Sequence, residues 1–300
     1  MGEHSMSGQK PKLLIIGSRG FLGRYAARAA AASGFVLIEG NRTLDGRPGE
    51  VAVDIRDRQS VAAAFSEVCP EIVLLLAAHA DIDYCEQNPK DAWAVNLRGA
   101  EHVAQACART GAGLVFASTG AVFDGRKHGY DEGSPVSPVS VYGETKAAAE
   151  RLIVNLLPDA LIFRLPLVIG FALPPRTNGF LDKLKKQWTH GEQVELPLFE
   201  QRNPIDAGGC SEFIIELVNR RCHGIFHIGS SDSISRYELG LKLASKMGYS
   251  GRVQPQLEPV PGRAPRGPDH FLHTGKLRAA CSIPIPNCDL VIERCFDAIA

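Results

Sequence analysis

Tyr142 and Lys146 stand four residues apart in Val141-Tyr142-Gly143-Glu144-Thr145-Lys146, and a helix opening there puts both side chains on one face. A phenol with an ordinary pKa of about 10 exchanges protons poorly at neutral pH, and a nearby ammonium favours the phenolate. Bringing that pKa to about 7 takes about 4 kcal/mol of differential interaction. Taken alone, the pair is an ordinary tyrosine at a helix start and a surface lysine. Upstream, an apolar run ends in Ala117-Ser118-Thr119-Gly120-Ala121-Val122-Phe123-Asp124-Gly125, which brings hydroxyls to the carboxyl end of a strand, where one of them can hold a carbonyl oxygen.

A second group of residues binds rather than reacts. Gly17-Ser18-Arg19-Gly20-Phe21-Leu22-Gly23 lies between an expected strand and an expected helix. Its first glycines permit a tight turn that brings backbone N–H groups and a helix dipole to a pyrophosphate, and Gly23 lets helix and strand pack closely. That context points to a dinucleotide. Its identity turns on the end of the second strand, Glu39-Gly40-Asn41-Arg42. Counting about 20 residues on from the turn places Asn41 at the usual acidic position, followed by Arg42, whose guanidinium can fork onto a ribose phosphate and favours NADP(H) over NAD(H). Glu39 is the competing reading, since a shift of two residues makes it a ribose ligand for NAD. Arg19 is expected to add positive charge beside the phosphate or to remain solvated. Asp54, followed by Ile55, stands where it reaches the adenine amine or caps a turn.

These residues need a scaffold, and the sequence supplies one in alternating β-branched and Ala-rich segments. Leu13 to Ile16, Phe35 to Glu39, Val51 to Asp54, Ile72 to Leu76, Leu114 to Ala117 and Leu161 to Phe163 read as strands. Helices are expected over Phe21 to Ser33, Gln59 to Val68, Asp91 to Arg109 and Tyr142 to Leu156. The fold class is α/β: a Rossmann-type doubly wound parallel sheet with a smaller C-terminal substrate-binding region. Residues 1–10 read as a flexible tail and 11–165 as the nucleotide-binding domain. A helix from Ser211 to Asn219 and a strand from Gly224 to Ile228 return to the sheet within about 202–229. Residues 166–201 and 230–300, rich in proline and including a helix from Arg236 to Met247, form the smaller region over the carboxyl ends of the strands.

Composition excludes several classes of partner. Thirty-three acidic residues balance thirty-three basic ones, so no long-range attraction to nucleic acid or an anionic membrane is expected. The longest apolar run, Ile72 to Ala78, falls short of the roughly 20 residues a bilayer span needs, and a cytoplasmic location is expected. Eight cysteines occur singly, which favours reduced thiols. His270 and His273 could share a helix face, but no acidic or thiol ligand stands at a matching spacing, so no metal is expected.

In order and spacing, the glycine turn, the strand-end hydroxyl and Tyr-x-x-x-Lys resemble the extended short-chain dehydrogenases. Ala77-Ala78-His79-Ala80-Asp81-Ile82-Asp83, Val122-Phe123-Asp124-Gly125, Tyr142-Gly143-Glu144-Thr145-Lys146 and the tail segment Ala264-Pro265-Arg266 narrow the resemblance to the dTDP-4-dehydrorhamnose reductases and their relatives. The resemblance implies that Thr119, rather than Ser118, holds the substrate carbonyl, that Tyr142 protonates it while NADPH delivers hydride, and that Lys146 binds the nicotinamide ribose and tunes Tyr142. It also implies that Ala77 and Ala78 line the cofactor and that Asn96 supports the site. Asn178, Arg202 and Arg266 fall where such proteins meet the diphosphate of a nucleotide sugar.

The chain departs from the reductases at Gly120-Ala121, where Asp-Tyr is usual, and at Leu167, where an aromatic is usual. It also lacks the Asp-Glu pair of related dehydratases. The leading expectation is an NADPH-dependent reductase of a keto group on a nucleotide-activated sugar. The alternatives are a non-catalytic NADP-binding subunit resembling the β subunit of methionine adenosyltransferase, and a sugar-nucleotide epimerase. Small-residue faces such as Ala147-Ala148-Ala149 fit burial within one chain or a homodimer, the latter a family expectation.

Overall fold

The computed structural model describes residues 10–174 and 179–297. Asn178 lies outside the described residues. In chain order the first part runs β1 (Lys12–Ile16), α1 (Phe21–Ala32), β2 (Val36–Asn41), β3 (Glu50–Ala52), α2 (Arg58–Val68), β4 (Ile72–Leu75), α3 (Ile82–Gln87), α4 (Pro89–Trp93), α5 (Ala100–Thr110), β5 (Gly113–Thr119), α6 (Val141–Leu156) and β6 (Leu161–Leu165). After these come β7 (Val168–Ile169), α7 (Phe180–Thr189), β8 (Val194–Pro197), β9 (Gln201–Arg202), β10 (Ile205–Asp206), α8 (Ala207–Asn219), β11 (Gly224–His227), β12 (Ile234–Ser235), α9 (Arg236–Lys246), β13 (Val253–Gln256), β14 (Asp269–His270), α10 (Gly275–Ala280) and α11 (Cys288–Asp297).

Seven strands form one parallel sheet in the order β11-β6-β5-β4-β1-β2-β3. Successive residues of β1 point to opposite faces, so Leu13 and Ile15 join one core with Ala26 and Phe213, while Leu14 and Ile16 join a second with Val103 and Ile153. Burial on both faces explains why these strands read as continuous apolar runs. The strand order reverses between β1 and β4, and that reversal opens a crevice at their carboxyl ends.

Several boundaries differ from the sequence reading in ways that bear on the site. β5 extends through Ser118 and Thr119, which holds both hydroxyls on a strand paired with Arg164 and Leu165 of β6. The expected helix from Asp91 to Arg109 is three segments, because residues 94–99 wind as a π-helix between α4 and α5. Widened turns of this kind recur at functional sites, and the buried Asn96 lies within this one. Further on, α8 begins at Ala207 rather than Ser211: the Asp206 carboxylate accepts the Gly209 N–H at 2.6 Å, and this cap outweighs the poor helix propensity of Gly208 and Gly209. Helix α7 was not anticipated. Its buried stripe of Leu181, Leu184 and Trp188 has helical spacing that the surrounding proline-rich texture obscured. His270 and His273 do not share a helix face, since His270 ends β14 and its ring faces the Phe123 carbonyl, with Nε2 at 3.2 Å. No described helix is long and apolar enough to cross a membrane.

Candidate active site

Two cavities meet at the glycine turn and share Gly17, Gly20 and Ala78. One, of about 500 Å³, runs from Gly17 and Phe21 past Thr119, Tyr142 and Lys146 to Arg202, Arg236, Arg266 and His270. The other, of about 370 Å³, is bounded by Arg19, Asn41, Arg42, Asp54, Ile55 and Ala77. A larger recess of about 760 Å³ between α1, α8 and α11 shares no residue with either.

The turn between the cavities is built by the absence of side chains. Gly17 has φ of +95°, and a Cβ there would stand 2.8 Å from the Ala77 nitrogen. At Gly23 a Cβ would stand 2.2 Å from the Gly17 carbonyl, so only glycine lets α1 start against the turn. The N-terminus of α1 has no side-chain cap and no acidic residue in its first turn, leaving its amides available to an anion. A dinucleotide fits this arrangement, with its pyrophosphate at the turn and its two halves in the two cavities.

At the adenosine end the structure redistributes the expected roles. The Asn41 side chain is spent on the turn, donating to Ser18 Oγ at 2.8 Å and accepting the Arg19 N–H at 3.2 Å. Its contribution to a ligand is therefore to hold the turn. Arg19 is paired with Glu50 at 2.7 Å and Asp45 at 3.1 Å, so its charge is matched, and hydrogen bonds from Arg19 hold the Glu50 carboxyl down to about 2. Neither the free charge nor the solvated side chain expected of Arg19 is found. Arg42 is exposed, borders the cavity and has no ion pair among the described residues; Glu39 does not border it. Asp54 is gripped by Arg56, with contacts of 2.6 to 3.2 Å that hold its carboxyl below the usual range. Ile55 is buried against Gly99.

Thr119, Tyr142 and Lys146 line one cavity, and the last two share a helix face as their spacing implied. Ser140 caps α6 by accepting the Gly143 N–H at 3.2 Å, which places Tyr142 and Lys146 on the buried face of the helix's first turns. Thr119 Oγ1 accepts the Ala121 N–H at 3.1 Å, and its hydroxyl is directed at Tyr142. Ser118 instead donates to Glu150, so Thr119 is the hydroxyl available to a ligand. Burial pushes the Tyr142 phenol up to about 12, only partly opposed by a hydrogen bond with Thr119. Burial also draws Lys146 down to about 7 against the pull of Glu150, with its Nζ 3.9 Å from the centre of the Phe116 ring. Among the groups present, burial rather than Lys146 dominates the Tyr142 phenol.

Beneath this trio lies a network that the sequence reading missed. Arg164 forks onto Glu150 at 2.7 and 3.0 Å, and both side chains are buried. Its Nη1 also lies 3.5 Å from Nε2 of His227, whose imidazole burial holds near 3 and therefore neutral. Glu150 stands one turn beyond Lys146, and that second i,i+4 step was the available signal. Asn96 does what the resemblance implied: its Oδ1 accepts the His79 N–H at 2.8 Å and its Nδ2 donates to His79 O and Thr145 Oγ1 at 3.0 and 3.1 Å. It thus ties the loop after β4 to α6.

The far wall comes mainly from short strands and loops that follow β6, joined by Asp83 of α3. Arg202 donates to Glu200 at 3.1 Å and to the carbonyls of Gln201, Gly267 and Pro268, while Arg266 forks onto Asp83 at 2.7 and 3.0 Å. Both expected arginines reach the cavity, each matched with a carboxylate. Arg236 and His270 line it as well and were not anticipated. A Cβ on Gly120 would lie 3.5 Å from His270 Cβ and Leu272 Cδ1, so those side chains close over this position.

The family profile described as RmlD substrate binding domain matches residues 11–300. This chain belongs to that family. "Probable low-salt glycan biosynthesis reductase Agl14" of Haloferax volcanii is 30% identical over 78% of this chain and 79% of its own. "Methionine adenosyltransferase 2 subunit beta" of Xenopus tropicalis is 25% identical over 89% of this chain and 81% of its own. Among solved structures, dTDP-4-dehydrorhamnose reductase from Bacillus anthracis in complex with NADP superposes with a TM-score of 0.88 at 24% identity, over 97% of this chain and 100% of that one. The Rossmann architecture and family expected from the motifs are thereby borne out. Ala147 and Ala149 of the small-residue face are buried within the chain itself.

Proposed function

We propose that the protein reduces a keto group on a nucleotide-activated sugar with NADPH. The observation that carries this reading is the convergence of Thr119, Tyr142 and Lys146 in a cavity that continues from the glycine turn. NADPH, when bound, supplies the hydride for the carbonyl carbon. The protein's own groups do the rest. Thr119 donates to the carbonyl oxygen and fixes its position. Tyr142, held protonated by burial, passes its proton to that oxygen as negative charge develops on it. Lys146 binds the cofactor's ribose and restores the phenol's proton, a task suited to an amine whose pKa is drawn to about 7. Arg42, at the edge of the adenosine cavity, favours NADPH by taking its ribose phosphate. Arg202 and Arg266 frame the nucleotide diphosphate, and Gly120, Ala121 and Leu167 shape a sugar pocket different from that of the rhamnose-type reductases.

A regulatory reading is favoured by one observation, the similarity to a methionine adenosyltransferase subunit over 89% of the chain. Turnover separates the two. Incubation with NADPH, and in parallel NADH, across a panel of 4-keto sugars on dTDP, UDP and GDP is expected to show oxidation of NADPH matched mole for mole by a new sugar alcohol. Binding of NADPH without turnover on any of them defeats the reductase reading and supports the regulatory one. An epimerase would return a substrate isomer with no net change in the cofactor.

A further inference from the structure

Of the guanidinium groups in the far wall, Arg236 alone lacks a counter-charge among the described residues. Arg202 is matched by Glu200, and Arg266 by Asp83, which Arg263 also approaches at 3.4 Å. Arg236 opens α9, and its backbone N–H donates to Glu200 O at 3.0 Å. Its guanidinium carbon stands 5.0 Å from the centre of the Phe180 ring, and its buried Nε has no hydrogen-bond partner. Burial and the neighbouring Arg202, Arg266 and Arg263 lower its pKa to about 10, against the opposing pull of Glu200, so it remains charged at neutral pH. A half-buried cation without a partner is costly, and sites that keep one complete it with an anion.

We propose that Arg236 supplies the unmatched positive charge that binds the diphosphate of the substrate, while Arg202 and Arg266, already neutralised by Glu200 and Asp83, shape the wall around it. The proposal rests on the nucleotide-sugar reading above. The geometry suits a phosphate: the guanidinium is planar, lies beside the Phe180 ring and can fork its N–H groups onto two oxygens. A neutral sugar offers no such match. The sequence points to Arg202 and Arg266 because they lie in recognised segments, whereas the free charge belongs to a residue in none of them.

The test is calorimetric titration of the full-length protein with dTDP, UDP and GDP, with thymidine as the phosphate-free control and NADPH as the cofactor control. Arg236→Met is expected to weaken the tightest nucleoside diphosphate at least about tenfold, the loss expected for charge-assisted hydrogen bonds, with NADPH affinity unchanged. Arg236→Lys keeps the charge but not the fork and is expected to fall between the two. Glu200→Gln removes a charge that opposes Arg236 but also frees Arg202, so it is compared alone and combined with Arg236→Lys: it is expected to tighten the same ligand in the wild type and less in the combination, which keeps the proposal testable if Arg236→Met folds poorly. Diphosphate affinity unchanged in Arg236→Met, or untouched by both other substitutions, overturns the proposal alone. A wild-type protein that binds NADPH but none of the three nucleoside diphosphates overturns both the proposal and the nucleotide-sugar reading.

Discussion

The two ends of the principal cavity are built on opposite terms. On the sheet side, the turn at Gly17 to Gly23 works by omission, and Tyr142 and Lys146 rest on the buried Arg164–Glu150 pair. On the other side, the wall consists of charged side chains from loops and short strands, and Asp83 of its Arg266–Asp83 pair is nearly one-third exposed. Buried pairs hold geometry at a high cost if broken, whereas partly solvated pairs exchange partners cheaply. The sheet-side end, proposed to be catalytic, is therefore expected to be rigid, and the far wall adjustable to a ligand.

Removing the proton donor is expected to have the largest effect. Tyr142→Phe should lower kcat by about 10² to 10⁴, the range for general acid–base groups, with NADPH binding unchanged in a direct titration. A smaller loss would move the proton transfer to another group.

Next is the support beneath the site. Glu150→Ala leaves Arg164 buried without its partner and should cost about 3–5 kcal/mol in denaturant unfolding. It also removes the one charge that raises the Lys146 pKa, so the neutral limb of the pH–rate profile should move to lower pH. A stability loss with an unmoved profile would leave Glu150 a structural residue only.

The far wall should respond least. Arg266 holds the Asp83 carboxyl down to about 2, below its unfolded value near 4. The pair's contribution to stability is thus complete above about pH 4 and is lost as pH falls from about 4 to 2. With Asp83 partly exposed, that contribution should be about 1 kcal/mol or less. The melting temperatures of wild type and Asp83→Asn should differ modestly at neutral pH and converge towards pH 2. A large difference would mean that the wall is as rigid as the catalytic end.

The division between what was legible and what was not follows the same line. The strands, the glycine turn, Tyr142 and Lys146 could be read because each rests on local spacing: alternation in a strand, a strand-turn-helix junction, two residues one turn apart; the choice of Thr119 over Ser118 came only with the family resemblance. Helix α7 and the start of α8 could not, because proline and glycine around them mask helical periodicity that packing and the Asp206 cap restore. Asn41 and Arg19 had the right location but not the right partners, since Ser18 and Glu50 reach them only across the folded turn.

By itself the amino-acid sequence determined a doubly wound sheet, a glycine turn between strand and helix, and the Tyr142–Lys146 pair one helical turn apart, because these depend on residues close in the chain. Only the tertiary structure decided which charges are spent and which are free. Glu150 meets Arg164, Asp83 meets Arg266 and Glu200 meets Arg202, and Arg236 remains without a counter-charge among the described residues. Burial and pairing between distant segments set that balance, and no local pattern encodes it.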